Sequence, residues 1–593
     1  MPDRPGLLTF DRAGLVRTGI GFAAVIAIAL ALLLTVVSCR QGGPVPEVRQ
    51  AEAERMARQQ LVTSAHPLAS EAGREVLRSG GNAMDAAVAV QMMLAFVEPP
   101  ESGLGGGAFL LYRDGETRQV EVFDGRETAP GAAVEDRFLG PFGTRRPLAL
   151  AVVSGDSVGV PGLVAMLHRA HAEHGRRDWE DLLAPAIRAA EEGIEYPARL
   201  AAQVRRDRSL RLFGDLRRTF VTPSRHDTPR LVNPELAETL RLLAEKGPEP
   251  FYTGEIAKDI VDAVAARRPW PGDMDLDDLA AYRPVVREAV CASYHKWEIC
   301  GPPPPSSGAV TVLQTLGMLE HFDLAGLQPD SVEAIHLIAE ASRLAFADRF
   351  LYLGDPDHVG VPVEALLDPD YLAARARLID PDRVMDQALP GLPGIAPILE
   401  DAPEVDEEET TGTTHFSILD STGNMVSMTS SIEAPFGSRI MTRGFLLNNQ
   451  LTDFSFRPRH EGFDLANRVG PGKRPRSSMS PTIVTGPDGS VRLVIGSRGG
   501  ARIIGHVIRV LVATLDWEIP LQEAVARPNH VHRGEYLELE RGTGLADHRR
   551  ALRSMGHKVR MREMASGLNG FESRGTVWHG SADPRLDAEV RTD

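Results

Sequence analysis

The chain has 593 residues, of which 43% are hydrophobic, and its formal net charge is −16. This length and apolar content allow one large α/β unit or more than one ordinary domain, each with a true core. The negative charge argues against a nucleic-acid partner, because binding to a phosphate backbone requires a positively charged surface.

The beginning of the chain predicts export from the cytoplasm. Arg4, Arg12 and Arg17 precede an uncharged apolar stretch at residues 18–38. This is the pattern of a secretory signal, although the length would also suit a membrane-spanning helix. The stretch ends in "VVSC", which resembles a bacterial lipobox, so that Cys39 would be lipidated and become the mature N-terminus. The alternative is a plain membrane anchor with an incidental cysteine.

Two helices are predicted between Pro67 and Leu94, in "PLASEAGREVLRSGGNAMDAAVAVQMML". Gly80 and Gly81 end the first helix, because glycine tolerates the left-handed cap, and Asn82 suits the start of the second. The second helix is apolar on all sides and is predicted to be buried. The following "SGLGGGAFLLYRDG" predicts a loop and a strand. It lacks the Lys-Ser/Thr of a phosphate-binding loop, so its glycines indicate close packing.

Three histidines, His168, His171 and His174, follow one another at three-residue spacing in "HRAHAEHG". Three histidines can bind zinc. The surrounding Arg, Ala and Glu indicate a solvent-exposed helix face, however, and the spacing drifts around the helix. We therefore predict no metal site.

A hairpin is predicted in "VCASYHKWEIC", which alternates like two strands around a tight turn. If His295 and Lys296 form a two-residue turn, Cys291 and Cys300 face each other at a non-hydrogen-bonded pair. Such pairs bring Cα atoms to about 4.5 Å, within the disulfide range, and an oxidising compartment would let the bond form. We predict a structural disulfide without a catalytic role; two buried thiols are the alternative.

A long amphipathic helix is predicted in "SVEAIHLIAEASRLAFADRFLYLGDP", ended by Gly354 and Pro356. Residues 389–412 are acidic and proline-rich, cannot build a core, and are predicted to be a linker. After Thr413 the pattern changes to strands, predicted in "THFSILD", "NMVSMTSSI", "GFLLNNQ", "SPTIVTG" and "RLVIGS".

Thr413 lies where the linker meets the first of these strands. An N-terminal threonine combines a nucleophilic hydroxyl with its own α-amine as base, whose pKa is about 8. Cutting the bond after Gly412 would create this N-terminus, and we expect the linker to leave that bond exposed. If "DSTGN" (420–424) forms a turn, Thr413 faces Ser431, and Glu433 is its diagonal neighbour at roughly 7–8 Å. On these features alone, an ordinary hairpin with polar residues on a solvated face is the simpler explanation.

Several motifs together resemble the γ-glutamyltranspeptidase (glutathione hydrolase) family. The resemblance extends from about Leu61 to the end of the chain and implies an α+β fold, the αββα sandwich of N-terminal-nucleophile hydrolases. It also implies a precursor that cuts itself between Gly412 and Thr413 into two subunits that stay together as a heterodimer. The motifs are "SAHPLASEAGREVLRSGGNAMDAAVAV", "ESGLGGGAFLLY", "FDGRETAP", "GDSVGVPG", "CGPPPPSSG", "TTHFSILD", "LLNNQLTDFS", "KRPRSSMSPTIV" and "GSRGGARII". The expected parts are a signal at 1–38, a tether at 39–60, a large subunit at 61–412 and a small catalytic subunit at 413–593.

The resemblance also implies roles for individual residues. Thr413 matches the nucleophile, and Ser431 matches the position whose hydroxyl supports it. The remaining matches are the oxyanion-hole glycines Gly499 and Gly500, Arg126 for the substrate α-carboxylate with Ser477 and Ser478 assisting, and Glu433, Gln450 and Asp453 around its α-ammonium.

The implied reaction is a two-step acyl transfer. Thr413 would attack the γ-amide carbonyl of a γ-glutamyl compound such as glutathione, and water or an amino acid or peptide acceptor would then take the γ-glutamyl group. No metal or organic cofactor is implied. The expected location is the bacterial periplasm, with the membrane contacted through the N-terminal lipid.

Two features depart from the family pattern. The segment between Asp453 and Ser477 looks shortened and contains no tyrosine, whereas well-known members carry a lid loop there, often with an aromatic residue. Phe463 is the candidate substitute. An open site would admit water, so we expect hydrolysis to be favoured over transfer. Arg498 stands where relatives often have proline, and we expect it to adjust acceptor binding.

Two alternatives remain at this point. A related acylase of glutaryl or β-lactam side chains would keep Thr413 but have less use for the ammonium-binding acids. An inactive surface-anchored binding protein would keep the fold and stay uncut.

Overall fold

The computed structural model describes residues 59–223, 228–391, 412–575 and 577–593. The predicted signal, Cys39, nearly all of the tether and most of the linker lie outside these ranges. No helix within them combines the length and the apolar character needed to cross a membrane.

Two antiparallel sheets form the centre of the fold, with strands numbered here in chain order. The first sheet has, in spatial order, Glu589–Thr592 (β22), Leu61–Ser64 (β1), Gly412–Leu419 (β9), Met425–Glu433 (β10), Gly107–Arg113 (β2), Val120–Asp124 (β3) and Val285–Glu288 (β6). The second has Val577–Ala582 (β21), Asn569–Arg574 (β20), Val491–Gly496 (β16), Thr482–Thr485 (β15), Trp297–Gly301 (β8) and Val290–Tyr294 (β7).

Shorter strands form small sheets around this centre. They are Ile194–Glu195 (β4) with Arg230–Leu231 (β5), Met441–Thr442 (β11) with Phe445–Leu446 (β12), Arg459–His460 (β13) with Phe463–Asp464 (β14), and His530–His532 (β17) with Leu537–Glu540 (β18) and Val559–Arg562 (β19).

The α-helices of the described residues are likewise numbered in chain order. They are Pro67–Arg78 (α1), Ala83–Val97 (α2), Leu148–Val152 (α3), Leu163–His174 (α4), Trp179–Glu192 (α5), Ala198–Arg206 (α6), Gly214–Leu216 (α7), Pro234–Lys246 (α8), Glu249–Tyr252 (α9), Glu255–Ala265 (α10), Leu276–Ala281 (α11), Gly308–Leu319 (α12), Val332–Tyr352 (α13), Val363–Leu366 (α14), Pro369–Ala376 (α15), Arg502–Leu515 (α16), Leu521–Ala526 (α17) and Arg549–Ser554 (α18).

The two large sheets pack face to face, with β9 and β10 against β16 and β20. Alternation along β9 explains this arrangement, since successive side chains of a strand point to opposite faces. Phe416 and Ile418 join the core cluster that includes α2. His415 lies against Gly496 of the second sheet. With α1 and α2 on the first sheet and α12 and α16 on the second, the fold is the predicted αββα sandwich.

The two predicted early helices are confirmed as α1 and α2. Asn82 caps α2: its side chain accepts hydrogen bonds from the N–H groups of Met84 and Asp85, each at 3.0 Å. The Asp85 carboxylate accepts from the Asn82 N–H at 2.9 Å, which completes a capping box. Every residue of α2 is buried, as the all-round apolar pattern predicts.

Two expectations about exposure are wrong. Helix α13 has the predicted position, but all its residues from Ala334 to Arg349 are buried, because α12, β17 and α18 pack around it. The histidines of α4 are half-buried and contact different partners. His171 approaches Asp85 at 3.3 Å, and His174 approaches Glu121 at 2.7 Å. Within the described residues, no group of His, Cys, Asp or Glu is arranged to hold a metal ion.

The predicted hairpin and disulfide are present at the edge of the second sheet. His295 and Lys296 form the turn between β7 and β8, and Cys291 pairs with Cys300 in the ladder. The two Cα atoms are 4.1 Å apart and the sulfur atoms are bonded. The cysteines do not line the cavity described below, which agrees with a structural role.

Candidate active site

The β9–β10 hairpin places Thr413 opposite Ser431, as predicted. Residues 420–424 form the connection between these strands. The Asp420 side chain fixes this turn by accepting from the Asn424 N–H at 3.0 Å. It also accepts from the Ala83 N–H at 3.0 Å, which ties the turn to the start of α2.

The expected regular register fails at Glu433. The ladder shifts between Ser431 and Glu433, so that Glu433 pairs with Gly412 and has a left-handed φ of 76°. This is a bulge, which redirects side chains at a strand end. Asn449 stabilises it by donating to the Glu433 carboxylate and accepting from the next N–H, that of Ala434, at 2.9 Å.

The Ser431 hydroxyl lies at the centre of three hydrogen bonds. It donates to the Gly412 carbonyl at 2.7 Å, accepts from the Glu433 N–H at 2.9 Å, and lies 3.2 Å from the Thr413 hydroxyl oxygen. A hydroxyl has one proton, so the bond to Gly412 makes Thr413 the donor to Ser431. Gly412 and Thr413 are both buried within β9. The expectation of an exposed bond between them is therefore wrong.

One cavity of about 710 Å³ brings most of the predicted site residues together. Gly499 and Gly412 do not line it. Those that do are Thr413, Ser431, Gly500, Arg126, Glu433, Gln450, Asp453, Ser477 and Ser478.

Arg126 is completely buried and is held from two sides. Its guanidinium donates to the backbone carbonyls of Pro475 at 3.1 Å and Arg476 at 3.0 Å. It also bonds the carboxylate of Asp453, to which the Gln450 amide donates at 2.8 Å. A fixed guanidinium and a carboxylate thus stand side by side. Such a pair complements the adjacent carboxylate and ammonium of an α-amino acid.

Glu127 does not line the cavity, but it is a buried neighbour of Arg126 that sequence reasoning missed. Its carboxylate is fully buried, 3.6 Å from the Arg126 guanidinium. Burial raises the pKa of Glu127 to about 8, although Arg126 lowers it. Glu127 is therefore mostly protonated at neutral pH and leaves the charge of Arg126 largely intact. Its position next to Arg126 in "DGRETAP" was the available signal.

Gly499 and Gly500 form the turn between β16 and α16. Their φ angles of 125° and 58° lie in the left-handed region that favours glycine. A Cβ on Gly499 would lie 3.2 Å from the His506 ring. Because the turn directly precedes α16, its N–H groups lie near the positive end of the helix dipole, which favours a developing negative charge.

Helix α13 supplies a wall that the sequence did not predict. Arg349 lines the cavity and donates to the Ser478 hydroxyl at 2.7 Å and to the Ser307 hydroxyl at 2.8 Å. A predicted positioning serine is thus itself positioned by an arginine. The sequence did not distinguish Arg349, because α13 also carries Glu333, Glu340, Arg343 and Asp348.

The segment between Asp453 and Ser477 lines the cavity, but not through the expected residue. Phe463 is 41% exposed and does not line the cavity, so its expected role as a lid aromatic is wrong. Phe454, Phe456 and His460 line it instead.

Arg498 does not line the cavity, so an effect of this residue on acceptor binding would have to be indirect. Its guanidinium is buried 2.6 Å from the Glu101 carboxylate, which is also buried. The other oxygen of that carboxylate accepts from Gln203 at 2.6 Å and lies 3.5 Å from Arg199. Arg498 therefore links the segment before the glycine turn to the end of α2 and to α6.

The loop at residues 98–101 also forms hydrogen bonds with the residues that directly follow Thr413 and Ser431. Thr414, which follows Thr413, donates from its hydroxyl to Glu98 at 3.2 Å. Ile432, which follows Ser431, donates from its N–H to the Glu101 carbonyl at 3.3 Å. Burial raises the pKa of Glu98. The loop at 98–101 thus contacts three segments of the chain. It bonds the residue after Thr413, the residue after Ser431 and, through the Arg498–Glu101 ion pair, the residue before the glycine turn.

We predict that Arg498→Gln lowers the free energy of unfolding by about 3–5 kcal/mol, because it leaves a buried carboxylate without its main counter-charge. Denaturant unfolding measures this effect. Combining Arg498→Gln with Glu101→Gln should restore part of the loss. Lys258→Gln is the matched control, since its ion pair with Asp262 is largely exposed; its effect should stay below about 1 kcal/mol. Equal losses in Arg498→Gln and Lys258→Gln would contradict the account of the cluster.

Comparisons with known proteins agree with this geometry. Residues 69–592 match the family model described as gamma-glutamyltranspeptidase. The chain is 39% identical over 478 residues to the glutathione hydrolase proenzyme of Bacillus subtilis (strain 168), covering 79% of this chain and 80% of that protein. It is 34% identical over 595 residues to the glutathione hydrolase proenzyme of Escherichia coli (strain K12), covering 94% and 97%. The solved cephalosporin acylase from Bacillus halodurans has a TM-score of 0.77 and 26% identity, covering 90% and 96%. The chain belongs to the γ-glutamyltranspeptidase family.

Proposed function

We propose that this protein cuts itself between Gly412 and Thr413 and then hydrolyses or transfers γ-glutamyl groups through Thr413. The observation that carries the proposal is a pair of consecutive hydrogen bonds, from the Thr413 hydroxyl to the Ser431 hydroxyl and from the Ser431 hydroxyl to the Gly412 carbonyl. It supports the proposal because the Thr413 hydroxyl, which would be the nucleophile, lies beside the Gly412–Thr413 bond and lines the cavity.

Self-cleavage would begin with attack of the Thr413 oxygen on the Gly412 carbonyl carbon. The Ser431 hydroxyl already donates to that carbonyl oxygen, where negative charge develops. The C–N bond then breaks, the Thr413 nitrogen takes the proton of its hydroxyl, and an ester remains. Water hydrolyses the ester, which leaves a carboxylate on Gly412 and a free hydroxyl and amine on Thr413.

The two resulting subunits, 61–412 and 413–593, are proposed to remain together as a heterodimer. The first sheet supports this, because strands of both parts alternate in it: β9 and β10 lie between β1 and β2, and β22 pairs with β1. In the second sheet β15 pairs with β8. Separating the subunits would break the hydrogen bonds of both sheets.

In each catalytic cycle, the freed α-amine of Thr413 would accept the proton of its own hydroxyl. The hydroxyl oxygen attacks the γ-carbonyl of the substrate, and the N–H groups of Gly499 and Gly500 would stabilise the oxyanion. One such donor typically contributes about 3 kcal/mol to lowering the barrier. The amine product leaves with the proton, and water or an amine acceptor then cleaves the ester.

Substrate selection is proposed to rest on the charged pair at the cavity wall. Arg126 would bind the α-carboxylate, with Ser477 and Ser478 assisting. The Asp453 carboxylate beside it, together with Glu433 and Gln450, would bind the α-ammonium. A glutaryl group has no ammonium, so an acylase of glutaryl or β-lactam side chains would have less use for these acids. The structural likeness to a cephalosporin acylase keeps that activity as the second candidate.

Export and lipid attachment at Cys39 are further parts of the proposal, supported by the "VVSC" motif. They would place the enzyme in the bacterial periplasm, anchored to a membrane. Labelling of the wild-type protein by a radioactive fatty acid, absent in Cys39→Ser, would test this placement.

Hydrolysis is expected to exceed transfer, because Phe463 is turned to solvent and does not cover the cavity. The measurement is the ratio of free glutamate to γ-glutamyl dipeptide formed from glutathione with glycylglycine as acceptor. A ratio strongly favouring the dipeptide at modest acceptor concentration would contradict the expectation.

The self-cleavage prediction concerns Thr413. Denaturing electrophoresis of the purified chain without its signal should show two bands, the smaller beginning Thr-Thr-His-Phe by N-terminal sequencing. Thr413→Ala should remain a single band, because the attacking hydroxyl is absent. Thr413→Ser keeps the hydroxyl and should be cut. An uncut wild-type chain would favour an inactive binding protein instead.

The specificity prediction concerns Asp453. Asp453→Asn should lower kcat/KM for a γ-glutamyl anilide roughly 10- to 100-fold, the usual effect of losing a hydrogen bond to a charged group. It should change kcat/KM for the matching glutaryl anilide only a few-fold, since that substrate lacks the ammonium. Complete self-cleavage of the variant is the control for folding. A larger loss on the glutaryl anilide would point to the acylase.

A further inference from the structure

Residues 205–218 form a basic surface on an acidic protein. This segment contains six arginines and two aspartates, a net charge of +4 (6 − 2), whereas the whole chain carries −16. All six arginines are exposed. They are Arg205, Arg206, Arg208, Arg211, Arg217 and Arg218.

The basic surface is held rigidly by its apolar residues. Leu210, Leu216 and Phe220 are at most 1% exposed and anchor the segment to the main core cluster. A short 3₁₀ turn at Arg208–Leu212 lies between α6 and α7. Its last residue, Leu212, points outward and is 82% exposed, among the most exposed large apolar residues of the described chain. The surface therefore combines fixed positive charges with one projecting apolar side chain.

The arginines of this surface contribute little to holding the fold together. Within the described ranges, only Arg206 and Arg218 of the six pair with an acidic side chain. The partners are Glu563, 3.8 Å from Arg206, and Asp215. All four side chains are more than half exposed, and such pairs add little stability. The like charges repel one another, so an anionic ligand that neutralises them would relieve this repulsion on binding.

We propose that the basic surface docks on a bilayer that contains anionic phospholipids. A guanidinium can donate two parallel hydrogen bonds to a phosphate, and basic side chains near an anionic bilayer are attracted to its surface potential. Leu212 would bury its apolar side chain at the interface between headgroups and acyl chains. A nucleic acid would also attract the arginines but offers no comparable environment for Leu212. The proposal is independent of the catalytic activity and of a lipid on Cys39.

The test uses the chain from residue 40 onward, which retains every described helix and strand and carries no lipid. Co-sedimentation with phosphatidylcholine vesicles is compared with and without phosphatidylglycerol. We expect binding only to the vesicles with phosphatidylglycerol, and we expect high salt to weaken it because salt screens exposed charges. Arg208→Ser/Arg211→Ser/Arg217→Ser should weaken this binding roughly 100-fold, the cumulative effect of three basic residues. Leu212→Ser should weaken it without changing its salt dependence.

The matched control removes the same charge elsewhere. Arg549, Arg550 and Arg553 of α18 are also exposed, and their triple serine variant should bind vesicles like the wild type. Equal binding to both kinds of vesicle, or an equal loss in the control variant, would overturn the proposal. Tighter binding to a DNA duplex than to the vesicles with phosphatidylglycerol would overturn it as well and assign the surface to nucleic acid.

Discussion

The rest of the active site depends on the pairing of Thr413 with Ser431 in the middle of the first sheet. Both strands have neighbours on both sides, so neither can shift by one residue without turning its whole core face toward the wrong layer. The bulge at Glu433 comes directly after that pair in the ladder. At this bulge the Ser431 hydroxyl forms three hydrogen bonds at once, to the Gly412 carbonyl, the Thr413 hydroxyl and the Glu433 N–H. A register requirement of the core thus sets the geometry of the chemistry.

Buried charged residues also hold the chain segments around this strand pair in position. The loop at 98–101 holds three chain segments through Glu98 and Glu101, and Arg498 supplies the counter-charge inside the protein. A buried ion pair adds little net stability, because desolvation offsets the attraction, but removing one partner is costly. Such a cluster therefore specifies one arrangement of the segments more than it strengthens the fold. A hydrolytic site needs this specificity, since reacting groups must stay within fractions of an ångström.

Local signals in the sequence were enough to predict individual helices, strands and turns. Contacts between residues far apart in the sequence could not be predicted in this way. The Asn82 cap, the two-residue turn between Cys291 and Cys300 and the turn at 420–424 each depend on a few adjacent residues, and all three are present. The burial of α13 depends on helices and strands far along the chain, so its pattern alone could not predict it. The Arg498–Glu101 pair joins positions almost four hundred residues apart, and each residue by itself resembles an ordinary surface charge. The resemblance to a family placed the cavity residues, but it could not show how Arg126 and Asp453 contact each other.

The order of events follows from the sheet. The bond between Gly412 and Thr413 meets Ser431 only after β9 has paired with β10, and β9 also needs β1 from the start of the fold. Strand β1 is in turn covered by β22, the last strand of the chain. The nucleophile and the bond that it cuts are therefore aligned in a sheet that also requires β1 and β22, the first and the last strand of the described residues. Self-cleavage would then follow folding, so an incomplete chain would keep its α-amine blocked and remain inactive.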